Sequence, residues 1–184
     1  MMMLQVVFFL LGTLVLAWLS RASLRQPRSH GFPRFLAWVA ILGLFALNAP
    51  VWFDDRYSAT QLVSWVLLQT SIAVLIAGVY LLRRVGKTDR ARDENELFAF
   101  EKTSQLVSVG IFRYIRHPMY CSLLLLAWGI FFKQPGLLGL LLALAASLFL
   151  WLTALRDEQE CLTYFGEDYR RYMQRSKRFI PFVL

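Results

Sequence analysis

Apolar positions in this chain fall into five blocks with almost no charge inside them: Met3–Leu19, Phe35–Phe53, Ala59–Leu82, Met119–Phe132 and Leu137–Leu155. Apolar runs of this kind predict membrane-spanning helices, because in lipid the backbone must satisfy its own hydrogen bonds. The fourth block has 14 residues, short for a hydrocarbon core of about 30 Å. It must be tilted, extended backwards through the residues before it, or enclosed by neighbours. Pro50 is expected to kink or end the second block. Trp65 and Tyr80 are placed as interface anchors near the ends of the third. Gln69, Thr70 and Ser71, mid-span, are expected to face other helices. Lys133-Gln134-Pro135-Gly136 forms a tight turn, so the fourth and fifth blocks make an antiparallel hairpin.

The polar stretches complete the plan. Arg83–Gln105 alternates in charge sign and carries Leu97, Phe98 and Phe100. It reads as a partly helical surface segment, either a lid or a plain solvated linker. Beyond Leu155 the helix is expected to continue, with Glu158, Leu162 and Phe165 on one face and Gly166 at its end. A second amphipathic helix, Asp168 to Arg175, presents Tyr169, Tyr172 and Met173 together. Phe179 and Phe182 are expected at headgroup depth, with nearby basic residues on phosphates. The predicted class is all-α: a polytopic membrane protein of five transmembrane helices with a C-terminal helical hairpin and amphipathic cytosolic tail helices. It is read as a single membrane domain, 1–184. Three N-terminal spans (1–82) are followed by a connector with site residues (83–118), the hairpin (119–155) and a tail (156–184).

Composition narrows the class. Of 184 residues, 58% are hydrophobic and only 17% charged, which excludes an ordinary soluble domain. The net charge of +8 lies in loops rather than on one polar face. Of the 20 Lys and Arg, only Arg56 and Lys133 fall in the second and fourth turns. That asymmetry is an orientation signal and not a nucleic-acid surface. It predicts an integral membrane protein with its N-terminus outside and its C-terminus cytoplasmic. The first block lacks basic residues before it and a small-residue cleavage pattern after it, so it is read as a retained helix. Cys121 and Cys161 form no CxxC pair and are read as structural thiols.

The candidate chemistry begins at Gly110–Tyr120, Gly-Ile-Phe-Arg-Tyr-Ile-Arg-His-Pro-Met-Tyr. Pro118 suits the first turn of a helix, which puts His117 near the N-cap and Arg116 just outside. Helix-start N–H groups beside cationic side chains suit a carboxylate or phosphate. The alternative is a boundary Arg that orients the chain or meets lipid headgroups. Asp157 and Glu158, at the end of the hairpin partner, return to the same side. A ligand carrying both a carboxylate and an ammonium would find opposite charges for each. The same groups could instead pair with one another and bind nothing. His117 and Cys121 have metal-ligand spacing but no third ligand nearby, so no metal is expected.

Residues 104–184 resemble one family. Leu106-Val107-Ser108-Val109-Gly110, the Arg116-His117-Pro118-Met119-Tyr120 helix start, Asp157-Glu158, Phe165-Gly166-x-x-Tyr169-x-x-Tyr172 and Arg178-x-x-Pro181 are similar to the integral-membrane methyltransferases. These are the isoprenylcysteine carboxyl methyltransferases and phospholipid N-methyltransferases. The resemblance implies S-adenosylmethionine as cofactor and a lipid or prenylated small-molecule acceptor taken from the bilayer, with no nucleic acid. It implies a cofactor site of Gln105, Leu106, Val107, Gly110, Tyr114, Arg116, His117, Tyr120, Asp157, Glu158, Tyr169 and Tyr172. Within it His117 would take the cofactor carboxylate and Glu158 its ammonium. Glu158 and Arg178 are the catalytic candidates, as base and as cation for an anionic acceptor. The implied activity is isoprenylcysteine-type carboxyl O-methylation, with phospholipid N-methylation as the alternative. Departures are Asp157 for the usual Glu, Ser122 for a common Gly, and Ile111-Phe112 for Pro-Tyr. An NADPH-dependent membrane reductase is a rival, weakened by Met119 where such enzymes carry Asn. A non-enzymatic membrane subunit is another.

Overall fold

The computed structural model describes residues 2–86 and 105–180. Its helices are α1 (Met2–Leu19), α2 (Arg21–Leu24), α3 (Gly31–Asn48), α4 (Ala59–Val85), α5 (Pro118–Phe131), α6 (Leu137–Phe165) and α7 (Glu167–Arg175), with short 3-10 turns at Ala49–Val51 and Gly110–Arg113. The chain is an all-α polytopic membrane protein: α1, α3 with its 3-10 extension, α4 and α6 are each long and apolar enough to cross a bilayer. The shorter α5 has 14 residues, about 21 Å at 1.5 Å per residue. It lies enclosed, packed along α4 on one side and against α6 and α3 on others.

The α4–α5 seam explains how a short helix is held. Gln61, Ser64, Leu68, Ser71 and Gly78 form the buried stripe of α4, recurring at helical spacing. The Ser64 hydroxyl donates to the Gly129 carbonyl (2.6 Å) and the Ser71 hydroxyl to the Ser122 carbonyl (2.7 Å). Gly129 lets Leu68 come close; a Cβ there would stand 2.9 Å from the Leu68 side chain. Small residues and interhelical hydrogen bonds are the usual adhesives between helices in lipid. Of the three mid-span polar residues, Ser71 meets another helix as expected. Gln69 and Thr70 are exposed, and Thr70 satisfies its hydroxyl on the Val66 carbonyl of its own helix (2.8 Å). The unforeseen polar contact is Gln61, paired with Lys133 at the far end of the seam.

Lys133 is 4% exposed. Its Nζ donates to Gln61 Oε1 (3.0 Å) and sits 3.5 Å from the centre of the Trp65 ring. Gln61 in turn donates to the Lys133 carbonyl (3.2 Å). This clamp fixes the α5–α6 turn against α4. Lys133→Ala is expected to lower stability by about 1–2 kcal/mol through the lost cation–π and hydrogen-bond contacts, read as a lower midpoint of thermal unfolding in detergent.

α3 packs along α6, and α1 lies along α3. The second span begins at Gly31, earlier than expected, and Pro50 stands in the 3-10 turn that ends it. α6 runs 29 residues. From Arg156 onward it is polar and projects past the apolar part. Gly166 ends it at φ +57, in the region where glycine meets no steric penalty. The candidate lid falls mostly in Lys87–Ser104, outside the described residues.

Candidate functional site

The site is assembled where three segments meet: the approach to α5, the projecting end of α6, and α7 with the tail. Gly110 sets the first at φ +60, with Leu81 Cδ1 2.6 Å from where a Cβ would be. Gly110→Ala is therefore expected to cost about 1–2 kcal/mol, measurable by chemical or thermal unfolding. The chain then makes the 3-10 turn Gly110–Arg113 and passes through Ile115 and Arg116 to His117, and Pro118 opens α5. The tail lies parallel to this approach. Arg116 N donates to the Lys177 carbonyl (2.7 Å), His117 N to the Arg178 carbonyl (3.2 Å), and Lys177 N to the Tyr114 carbonyl (2.9 Å). The amides of Arg116 and His117, expected at a helix start open to anions, are thus occupied by the tail.

Glu158 is the hub of the ion pairs. Arg116 Nε donates to its Oε1 (2.8 Å), Arg178 Nε to the same oxygen (3.1 Å), and Arg178 Nη2 to Oε2 (2.6 Å). His117 Nε2 stands 3.3 Å from Oε1. Glu158 itself is 4% exposed. Burial pushes its carboxyl pKa up, but the hydrogen bonds from His117, Arg178 and Arg116 outweigh burial and hold it below the ordinary carboxylate range. Burial likewise pulls the His117 imidazole down. The carboxylates of Asp157 and Glu158 outweigh that and raise its pKa, so the ring favours its cationic form.

Asp157 faces the other way. It lines a cavity with Arg116, His117 and Tyr120, walled by Phe112, Phe165, Tyr169 and Tyr172 and floored by Leu106, Val107 and Leu82; Pro118, Met119 and Cys161 complete it. His117 Nδ1 lies 3.4 Å from Asp157 Oδ2. The Tyr172 hydroxyl donates to the Phe112 carbonyl (2.6 Å), which ties α7 to the approach segment. Burial raises the pKa of both Tyr169 and Tyr172, so these walls stay neutral.

The sequence-derived site therefore divides. Leu106, Val107, Arg116, His117, Tyr120, Asp157, Tyr169 and Tyr172 meet around one cavity. Gln105 is exposed and its N–H donates to the Gly86 carbonyl (3.2 Å). Gly110 and Tyr114 are exposed beside the cavity rather than on its lining. Glu158 and Arg178 are not lining residues either; they hold each other behind it. Phe112, Phe165 and Cys161 were not anticipated as lining. The only hint for the last two was their helical spacing from Asp157 and Glu158.

Phe179 corrects another expectation. It is 4% exposed, packed on Trp151 (ring centroids 5.9 Å) and near His117 (6.2 Å), so it meets protein side chains rather than lipid headgroups. Arg178 pins it there by lying over Trp151, 4.7 Å from the ring centre. Phe182 lies outside the described residues. On the lipid side of Phe179, an apolar groove runs between α5 and α6, lined by Leu124, Leu125, Trp128, Trp151 and Ile180 among others.

Residues 81–167 match the family model described as phospholipid methyltransferase. That segment, a little under half of the chain, is similar to the membrane methyltransferases. The matched segment spans the approach, α5 and α6, which carry every charged residue of the cavity. Among curated proteins, methanethiol S-methyltransferase 1 of Bradyrhizobium diazoefficiens is 27% identical over 71 residues, 39% of this chain and 24% of that protein. The similarity thus covers about a quarter of that relative's length. No solved structure matches.

Proposed function

We propose that the protein transfers a methyl group from S-adenosylmethionine to a lipophilic acceptor. The observation that carries this is the pairing of a cavity-facing carboxylate, Asp157, with the cations Arg116 and His117 inside aromatic walls. The donor set fits the cofactor. Asp157 suits its ammonium, His117 and Arg116 suit its carboxylate, and Tyr169, Tyr172 and Phe165 suit a flat base. The ammonium role expected of Glu158 passes to Asp157, because Glu158 is engaged by two guanidinium groups. When bound, the cofactor supplies an electrophilic methyl on sulfur. The protein's part is alignment and exclusion of water. α7 and the approach segment cover the cavity, and Glu158 holds Arg116 and His117 in place.

The apolar groove beside Phe179 supports an acceptor that arrives from the bilayer. A carboxylate acceptor of isoprenylcysteine type suits the exposed basic residues Arg175 and Lys177 of the tail. A phospholipid amine is the second reading, favoured by the family description. The charge asymmetry supports an N-terminus outside and a cytoplasmic cofactor site.

The test is calorimetry of S-adenosylhomocysteine with the detergent-solubilised protein, followed by labelled cofactor with a prenylcysteine, an aminophospholipid and a small thiol. Binding, and label transferred to one acceptor class, is the expected result. A folded protein that binds neither cofactor form would remove the methyltransferase reading.

A further inference from the structure

A buried clasp joins the first polar loop to the projecting end of α6. His30, at the start of α3, is 1% exposed. Its backbone N–H donates to Glu160 Oε1 (2.8 Å), and its Nδ1 lies 2.5 Å from Glu160 Oε2. His30 Nε2 is buried with no hydrogen-bond partner among the described residues. Arg156 adds to the clasp, donating to the carbonyls of Pro27 (2.6 Å) and Ser29 (3.1 Å). Glu160 stands one turn beyond Asp157, on the same side of α6. One ligand-capable atom from each of His30, Asp157 and Glu160 falls within 4.8 Å of the others. The 2.5 Å contact is a direct hydrogen bond between the imidazole and the carboxylate.

We propose that His30 is a positioning residue of the cofactor site: by clasping Glu160 it fixes the turn of α6 that presents Asp157 to the cavity. The ligand's identity rests on the proposed function; the clasp does not. The end of α6 leaves the packed bundle, so its rotation must be set by contacts there. Glu158 anchors it to the approach segment and tail on one side. Glu160 and Arg156 anchor it to the loop on the other. A small rotation would carry Asp157 away from His117 and off the cavity wall. The first loop, outside the segment that matches the family model, thereby enters the control of ligand affinity.

The clasp is also sensitive to protons. Glu160, Asp157 and Arg156 of α6 and Arg34 of α3 are the charged groups around His30. Burial lowers the His30 pKa, the Glu160 bond and Asp157 charge raise it, Arg34 opposes them, and the net direction is upward. The charged clasp holds at pH below the folded-state value and weakens as pH rises through it.

The experiment measures S-adenosylhomocysteine affinity of the full chain in detergent across neutral to mildly alkaline pH. It compares the parent with His30→Gln, His30→Lys and Glu160→Gln, each with its thermal unfolding midpoint. His30→Gln and Glu160→Gln are expected to bind about tenfold more weakly at neutral pH. The alkaline fall in affinity becomes shallower in His30→Gln, because one of two titrating imidazoles is gone. His30→Lys, which keeps a cation for Glu160, retains most of the affinity. Parental affinity and a parental pH profile in both neutral variants would overturn the positioning role while leaving the functional reading intact. A loss that follows the melting midpoint alone, with a parental pH profile, would overturn it too. A parent that binds nothing removes the functional reading and this inference together.

Discussion

Glu158→Gln is expected to be the most damaging single change, lowering stability by about 3–5 kcal/mol. The reason is local. Arg116 and Arg178 are 9% and 18% exposed at the side chain and both point at Glu158. Removing the carboxylate charge leaves two guanidinium groups and a cationic imidazole together without their anion. Asp157, the nearest replacement, lies on the other side of His117. The tail also depends on this hub, because Arg178 holds Phe179 against Trp151. Thermal unfolding in detergent should show a large drop in midpoint, and limited proteolysis should find the tail cleaved first. A variant that melts like the parent would mean the guanidinium groups find solvent or another anion easily. The same hub predicts acid sensitivity. A carboxyl whose folded pKa is lowered contributes stability that is complete above its unfolded value and is lost as pH falls through the folded one. Loss should therefore begin as pH falls through the ordinary carboxylate range and be complete only below the folded-state value, and Glu158→Gln should flatten that limb.

Asp157→Asn is expected to do the reverse, sparing the fold and weakening S-adenosylhomocysteine binding by about tenfold to a hundredfold. Asp157 has a 20% exposed side chain, and His117 keeps its contact with Glu158 when the Asp157 charge is gone. The cost to stability should stay near 1 kcal/mol, within the range of one partly exposed hydrogen bond. The cavity, however, loses the carboxylate matched to an ammonium group. Calorimetry on the parent and variant, with unfolding midpoints measured in parallel, separates the two effects. Undiminished affinity in a folded Asp157→Asn protein would show that the ammonium is held elsewhere. Taken together, the two substitutions distinguish adjacent acids with different tasks. Glu158 holds the protein's own cations, and Asp157 faces the cavity.

Much of the architecture was legible from the order of residues. Five apolar blocks became five helices, four of them long and apolar enough to cross a bilayer, since lipid leaves a spanning backbone few alternatives. Pro118 marked the start of α5 and Gly166 the end of α6, both through backbone preferences that act within a few residues. The gathering of Arg116, His117 and Asp157 on one side followed from the hairpin, whose two arms must return to the same face.

The direction each side chain takes there was not legible. Asp157 and Glu158 are neighbours, and a helix turns adjacent residues about 100° apart. Which of them meets the cavity depends on where the tail lies, and the tail is placed by its parallel pairing with residues 114–117. That pairing joins positions some sixty residues apart and leaves no periodic mark. The same holds for Phe179, where an apolar residue near a membrane surface has two homes, headgroups or core. Trp151 and Arg178 decided for the core. The helices, their order and the side on which the charges collect follow from residue order alone, because those depend on local propensity and on the cost of burying charge in lipid. That Glu158 is engaged by Arg116 and Arg178, that Asp157 is turned to the cavity, and that His30 reaches α6 emerged with the packed fold. Those outcomes rest on contacts between distant segments, whose geometry exists only once the bundle has closed.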